Sequence, residues 1–295
     1  MNDQAQRLRE LAAAAVGNMA GNRTDIIDNP VRCRSFAITG GKGGVGKSNI
    51  AMFLSTALSG LGKKVLLLDA DLGLANIHIL LGLNPRRNLA HVIGGECALE
   101  EILFSGPAGV DILPGASGLA EMADLPPMRL QSVLQALAKL EQSYAFLVID
   151  VGAGVGRNTV HVAGHADTSI LVLTPEPTSL ADAYSTYKLL RNRNMGGIQA
   201  LVNMAGNDDE GREIHEKLEK LTKNFLHSPL PLLGVLPFDA DVGRYVRNQK
   251  NATLEKPRST LSVRIRSVAR NLAGMPQTAG IGFFARFLTN SRTEE

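Results

Sequence analysis

The sequence predicts a doubly wound α/β fold, a mostly parallel sheet with helices on both faces. Apolar runs of strand length alternate with helical patterns from residue 33 to about residue 237. The runs are continuous rather than alternating, as strands buried on both faces require. A glycine-rich phosphate-loop sequence joins the first run to the first long helix, where a nucleotide-binding sheet carries one.

Strands are expected at SFAIT (35–39), KVLLLDA (64–70), VDILPG (110–115), YAFLVIDV (144–151), TSILVLTP (168–175), GIQALVNMA (197–205) and PLLGVLPF (231–238). Helical patterns cover 46–61, 127–142, 179–193 and 209–226, and helices at 239–251 and 259–274 are expected to pack at the sheet's edge. Ahead of the sheet, residues 3–20 read as a helix. Asp3 and Gln6 stand in a capping-box-like relation, and Leu8, Leu11, Ala12, Ala15 and Met19 fall at helical spacing. Gly, Asn and Pro then break the pattern. The chain therefore divides into an arm (1–22), a linker (23–32), a main domain (33–274) and a tail (275–295).

With 295 residues and 44% hydrophobic content, the chain can bury one large core. Its net charge of +3 permits contact with an acidic surface without requiring nucleic acid. Two cysteines, Cys33 and Cys97, lie in separate segments outside any C-x-x-C pair. That argues against a thiolate metal site and predicts a reduced, cytoplasmic protein. The polar, charged start is not a signal peptide, and no apolar run reaches the roughly 18–20 residues of a membrane span.

Ligands bind such sheets at the carboxyl ends of the strands, and the chemistry-bearing residues stand there. Gly41, Lys42, Gly43, Gly44, Val45, Gly46, Lys47, Ser48 and Asn49 form the loop and open the helix. Glycines let successive N–H groups wrap phosphates, and the helix N-terminus adds positive charge. Lys47 suits the β/γ-phosphates of ATP and Ser48 suits Mg²⁺. Asp69 and Asp71 stand at the end of the second run and Asp150 at the end of the fourth, YAFLVIDV; Asp150 fits a magnesium carboxylate. His161 and His165 are four apart with no third ligand nearby, so ordinary helix histidines are expected.

GGKGGVGKS, DADLGLAN and DVGAG resemble the deviant phosphate loop and the two switch segments of the MinD/ParA ATPases, a likeness that covers most of 33–270. The resemblance implies an ATP-dependent homodimer that binds ATP or ADP with Mg²⁺. It implies that Lys42 reaches the partner subunit's nucleotide while Lys47 serves its own. Asp71 would activate the hydrolytic water, Asp69 would support the metal with Ser48 and Asp150, and Asn76 would line the dimer contact. Asn203 and the turn Pro237–Asp239 would lie on the adenine side, though such residues at strand ends also simply make turns. Gly152 departs from the family, where proline is common, and is expected to loosen the second switch.

DQAQRLRE (3–10) and TPEPTSLADAY (174–184) are similar to the flagellar-number branch of that family, the FlhG/FleN type. This likeness implies an arm that stimulates an FlhF-type signal-recognition GTPase through Gln4, Leu8 and Arg9, with a flagellar switch-complex protein or a flagellar transcription activator as further partners. Folding of the arm onto the domain is its structural alternative. The tail segment IGFFARFL would be an amphipathic helix binding anionic lipid at the inner face of the cell membrane, with Phe283, Phe284, Phe287 and Leu288 on its apolar side. Its alternative is docking in the protein's own groove. Two functions compete with this one: a nucleotide-sensing antiregulator of a flagellar transcription activator, with hydrolysis incidental, and a DNA-binding partition ATPase, through Arg244, Arg247, Lys250, Arg258, Arg264, Arg266 and Arg270; such charged faces are most often just solvated.

Overall fold

The computed structural model describes residues 32–71, 77–115, 125–154, 156–193, 196–276 and 281–290. Gln4, Leu8 and Arg9 of the arm, the linker up to residue 31, and Asn76 lie outside the described residues, as do the side chains of Phe287 and Leu288.

In chain order the elements are β1 (Arg34–Thr39), α1 (Lys47–Ser59), β2 (Val65–Ala70), α2 (Ile77–Leu80), α3 (Leu89–Gly94), β3 (Phe104–Ser105), β4 (Asp111–Pro114), α4 (Pro127–Glu141) and β5 (Phe146–Val151). Then follow α5 (Arg157–Gly164), β6 (Thr168–Leu173), α6 (Pro177–Arg191), β7 (Gly197–Ala205), α7 (Asp208–Leu226), β8 (Leu232–Pro237), α8 (Val242–Arg247), α9 (Ala252–Glu255), α10 (Thr260–Gly274) and α11 (Phe283–Asn290). The eight-stranded sheet runs β3-β4-β2-β5-β1-β6-β7-β8. Only β3 is antiparallel, a two-residue edge strand with no apolar run to announce it.

Alternate residues of each central strand enter opposite cores, as a strand's period of two dictates. Phe36 and Ile38 of β1 face one layer with Leu54 of α1 and Ile265 of α10, while Ala37 faces the other with Leu134 and Leu137 of α4. Helix α10 covers this face where it reaches the edge strand β8, as expected of a helix at the sheet's edge. Helix α7 shows how little apolar surface a flanking helix needs. Gly211, His215, Leu218, Thr222 and Leu226 form its buried stripe, and Asn207 caps its start by accepting the Glu210 N–H at 2.9 Å. Arg34 pins the end of α10. Its guanidinium lies 5.1 Å from the Phe146 ring centroid and donates to the Ala273 and Met275 carbonyls, each at 2.6 Å.

The tail differs from the membrane-facing expectation. Phe283 and Phe284 are each 1% exposed and join the core layer of α4. Glu141, the last residue of α4, accepts the Phe283 and Phe284 N–H groups at 2.8 and 3.2 Å and so caps α11. Arg286, which a lipid-facing helix would turn towards headgroups, is buried against Asp167. The physical reason is that an aromatic stripe fits a protein groove as well as a lipid surface, and α4 with the neighbouring strand ends supplies the groove.

Candidate functional site

The phosphate loop leaves β1 at the centre of the sheet, between β5 and β6, and opens α1. Gly46 stands at the helix N-cap with φ of 93°, a left-handed conformation that favours glycine. A Cβ there would also lie 2.5 Å from the Asn203 amide nitrogen. Lys47 folds back along the loop, its Nζ donating to the Lys42 carbonyl at 3.1 Å. Burial lowers the Lys47 pKa, and the carboxylates of Asp150 and Asp71 pull the other way. A buried ammonium beside an anion-binding loop gains most when phosphate replaces water as its partner.

The register of β2 against β5 sets Asp69 directly beside Asp150. Both are 1% exposed. The Ser48 hydroxyl hydrogen-bonds Asp150, whose Oδ2 is buried without a partner. Asp69 accepts the Ile77 N–H at 3.1 Å and so holds the start of α2, just after the first switch segment. An orphaned carboxylate oxygen beside a serine hydroxyl and a second carboxylate is an oxygen donor set that fits Mg²⁺. Burial pushes the Asp150 carboxyl up to about 7, aided by Asp69 and opposed by Ser48 and Lys47. A carboxyl raised on folding binds its proton more tightly in the native state, so stability falls as pH climbs from about 4 to about 7. Asp150→Asn removes that penalty. The nucleotide-free variant is expected to melt higher than the parent at pH 8, with the gap closing towards pH 4, while its Mg²⁺-dependent nucleotide affinity drops. A gap independent of pH would contradict the site's electrostatics.

Asp71 follows β2, and Gly152 gives it room. A Cβ on Gly152 would approach the Asp71 Oδ1 to 2.6 Å. The absence of a side chain at Gly152 thus leaves space beside a candidate catalytic carboxylate. The Gly154 N–H meanwhile donates to the Gly40 carbonyl at 3.3 Å and ties this segment to the loop.

Lys42 is engaged within its own chain, on Glu176 and, at 2.9 Å, on the Thr178 hydroxyl at the start of α6. Neither partner was singled out by its chemistry in the sequence. Both lie in PEPTS, where only proximity in space reveals the role.

A cavity of about 300 Å³ opens beside the loop, lined by Asn49, Ile50, Phe53, Asn203, Pro237 and Phe238 among others. Asn203, Pro237 and Asp239 meet here, as the adenine-side assignment requires. Asn203 donates its amide to the Val45 carbonyl at 2.9 Å, bracing the loop and leaving its oxygen as an acceptor. The apolar walls of Ile50, Phe53 and Leu261 were legible only as helix core.

A model of the CobQ/CobB/MinD/ParA nucleotide-binding domain matches residues 36–252. The chain belongs to that family. This MinD/ParA-type ATPase is 44% identical to the antiactivator FleN of Pseudomonas aeruginosa, over 82% of the chain and 87% of that protein. It is 32% identical to the flagellum site-determining protein YlxH of Helicobacter pylori, over 98% of the chain and 99% of that protein. Among solved structures, the MinD cell division protein of Aquifex aeolicus superposes with a TM-score of 0.67 at 25% identity, covering 84% of this chain and 100% of that one. MinD of Pyrococcus horikoshii complexed with Mg-ADP gives 0.65 at 27%, covering 82% and 98%. Among the described residues no three His, Cys, Asp or Glu side chains are grouped to hold a metal ion. The rings of His161, in the last turn of α5, and His165, the residue that caps its end, are tilted by 55° with centroids 4.5 Å apart. Three of the cations weighed for DNA contact face acids, Arg244 on Asp241, Lys250 on Glu255 and Arg264 on Asp208.

Proposed function

We propose that the chain is an ATP-operated regulator of flagellar number that works as an antiactivator, restraining a flagellar transcription activator when ATP-bound. The 44% identity to antiactivator FleN carries this reading. The site supports it with the parts a nucleotide switch needs. Loop N–H groups and Lys47 hold the phosphates, Ser48 and Asp150 bind magnesium with Asp69 behind them, and Asn203 offers its free acceptor to the base. Mg²⁺ held there would supply charge neutralisation for the phosphates. Asp71 takes a proton from the attacking water. Lys42 leaves Glu176 and Thr178 to stabilise charge at the second subunit's nucleotide, so hydrolysis follows dimerisation. Residues 1–22 engage an FlhF-type GTPase in the same reading, and membrane binding by the tail requires α11 to undock first.

The purified chain, loaded with ATP or ADP, is to be titrated onto the transcription activator that drives flagellar genes in the same cell. The ATP form is expected to bind at least about tenfold more tightly, a difference of roughly 1.4 kcal/mol. It is also expected to silence transcription from an activator-dependent promoter in vitro. Equal binding by both forms, or binding without silencing, would overturn the antiactivator role while leaving the ATPase intact.

A further inference from the structure

At the amino ends of the strands, opposite the phosphate loop, four charged side chains converge on one buried spot. Asp167 precedes β6, and its side chain is 8% exposed. Its Oδ2 accepts the Ser35 N–H and the Ser35 hydroxyl, each at 2.9 Å. Its Oδ1 accepts Arg32 Nη2 and Arg286 Nη1, each at 2.8 Å. Arg286 also donates to the Ser35 Oγ at 3.1 Å, and Glu141 stands close by as the cap of α11. Arg32 is the residue that directly follows segment 1–31, and Arg286 belongs to α11. One carboxylate oxygen therefore holds the root of the arm and the docked tail together.

We propose that Asp167 couples the two ends of the chain antagonistically, α11 docking more tightly when Arg32 is withdrawn and Arg32 being held more tightly when α11 leaves. The sign follows from what each contact contributes. Two donors from Ser35 already orient the carboxylate, so Arg32 is not needed to aim it at Arg286. What Arg32 adds is a second positive charge on the same oxygen, which repels the Arg286 guanidinium across a partly desolvated gap. Withdrawing it also leaves Asp167 and Glu141 with one cation fewer, Arg286 and the more distant charge of Arg34 remaining, which strengthens the attraction on Arg286. Coupling of this kind is reciprocal. A partner that pulls on the segment before Arg32 thus closes the tail, and a surface that draws α11 out fixes the root of the arm. Each engaged state therefore weakens the other.

Hydrogen exchange of the α11 amides in the full chain reads the docking equilibrium directly, with β1 and β5 amides as the internal reference for global folding. Arg32→Ala is expected to slow α11 exchange by about tenfold, within the usual range of such couplings. Arg32→Lys, which keeps the charge, should leave it near the parent. Arg286→Ala should speed exchange, and adding Arg32→Ala to it should then change nothing, because the shared oxygen no longer links the two. Asp167→Asn should abolish the Arg32 effect in the same way. The Arg286 background decides the matter even where Asp167→Asn does not fold. Unchanged or faster α11 exchange in Arg32→Ala overturns the coupling, as does an Arg32 effect that persists without Arg286.

Discussion

Asp71→Ala protein is expected to bind ATP and dimerise normally yet hydrolyse it about 10²–10⁴-fold more slowly, the usual cost of losing one positioned proton-transfer group. Lys42→Ala should show the same slow turnover for a different reason, since its missing cation belongs to the partner's site. Mixing the two variants separates these roles. In a mixed dimer the nucleotide held by the Lys42→Ala chain retains its own Asp71 and receives Lys42 from the other subunit, so one of the two sites is whole. Phosphate release should therefore recover on mixing. If Lys42 served its own chain's nucleotide, every site in the mixture would lack one group and activity would stay lost. The observed pairing of Lys42 with Glu176 does not oppose the trans role. The two side chains are 36% and 62% exposed, and an exposed pair of that kind contributes about 0–1 kcal/mol. Gly152→Ala provides a milder version of the Asp71 lesion. Its Cβ would press on the end of the Asp71 side chain, which can swing away, so the rate should fall while the melting temperature hardly moves.

The central strands and the phosphate loop were legible because burial on both faces writes a continuous apolar run, and the loop's glycines are dictated by its backbone. Strand β3 was not, since two residues paired at an edge leave no pattern. The carboxylates Asp69 and Asp150 were legible as strand-end residues, and the β2–β5 register then set them side by side. The direction a polar side chain points is a different kind of fact. Asn203 was placed on the base side, but its bond to the Val45 carbonyl depends on how β7 lies against the loop, which periodicity does not encode. Lys42 illustrates the same limit, because its partners are more than a hundred residues away in sequence. The tail shows where two readings stay open in a sequence. Its stripe specified a helix with one apolar side, and nothing in the stripe distinguishes a lipid surface from the groove beside α4.

Phe284→Glu is expected to lower the folded chain's stability by about 3–5 kcal/mol, the range for deleting a buried phenylalanine, before any cost of the new charge is added. That charge has no favourable place to go. Phe284 is 1% exposed, packs edge-on against Phe283 at 5.1 Å between centroids, and its own N–H is bound by Glu141. A second carboxylate there would sit beside the first, with only Arg286 to share and Asp167 already claiming it. The chain's cheapest response is to undock α11, so the loss should level off at the docking energy of that helix. Ile281 is the control, since it is 50% exposed just ahead of the helix, and Ile281→Glu should leave the urea midpoint within about 0.5 kcal/mol of the parent. A lipid-facing helix predicts the reverse order of evidence. Both variants would then keep the parent's stability in urea, and only vesicle binding would fall. A docked helix makes Phe284→Glu costly in water alone, with no membrane present, because its burial is satisfied by the protein itself.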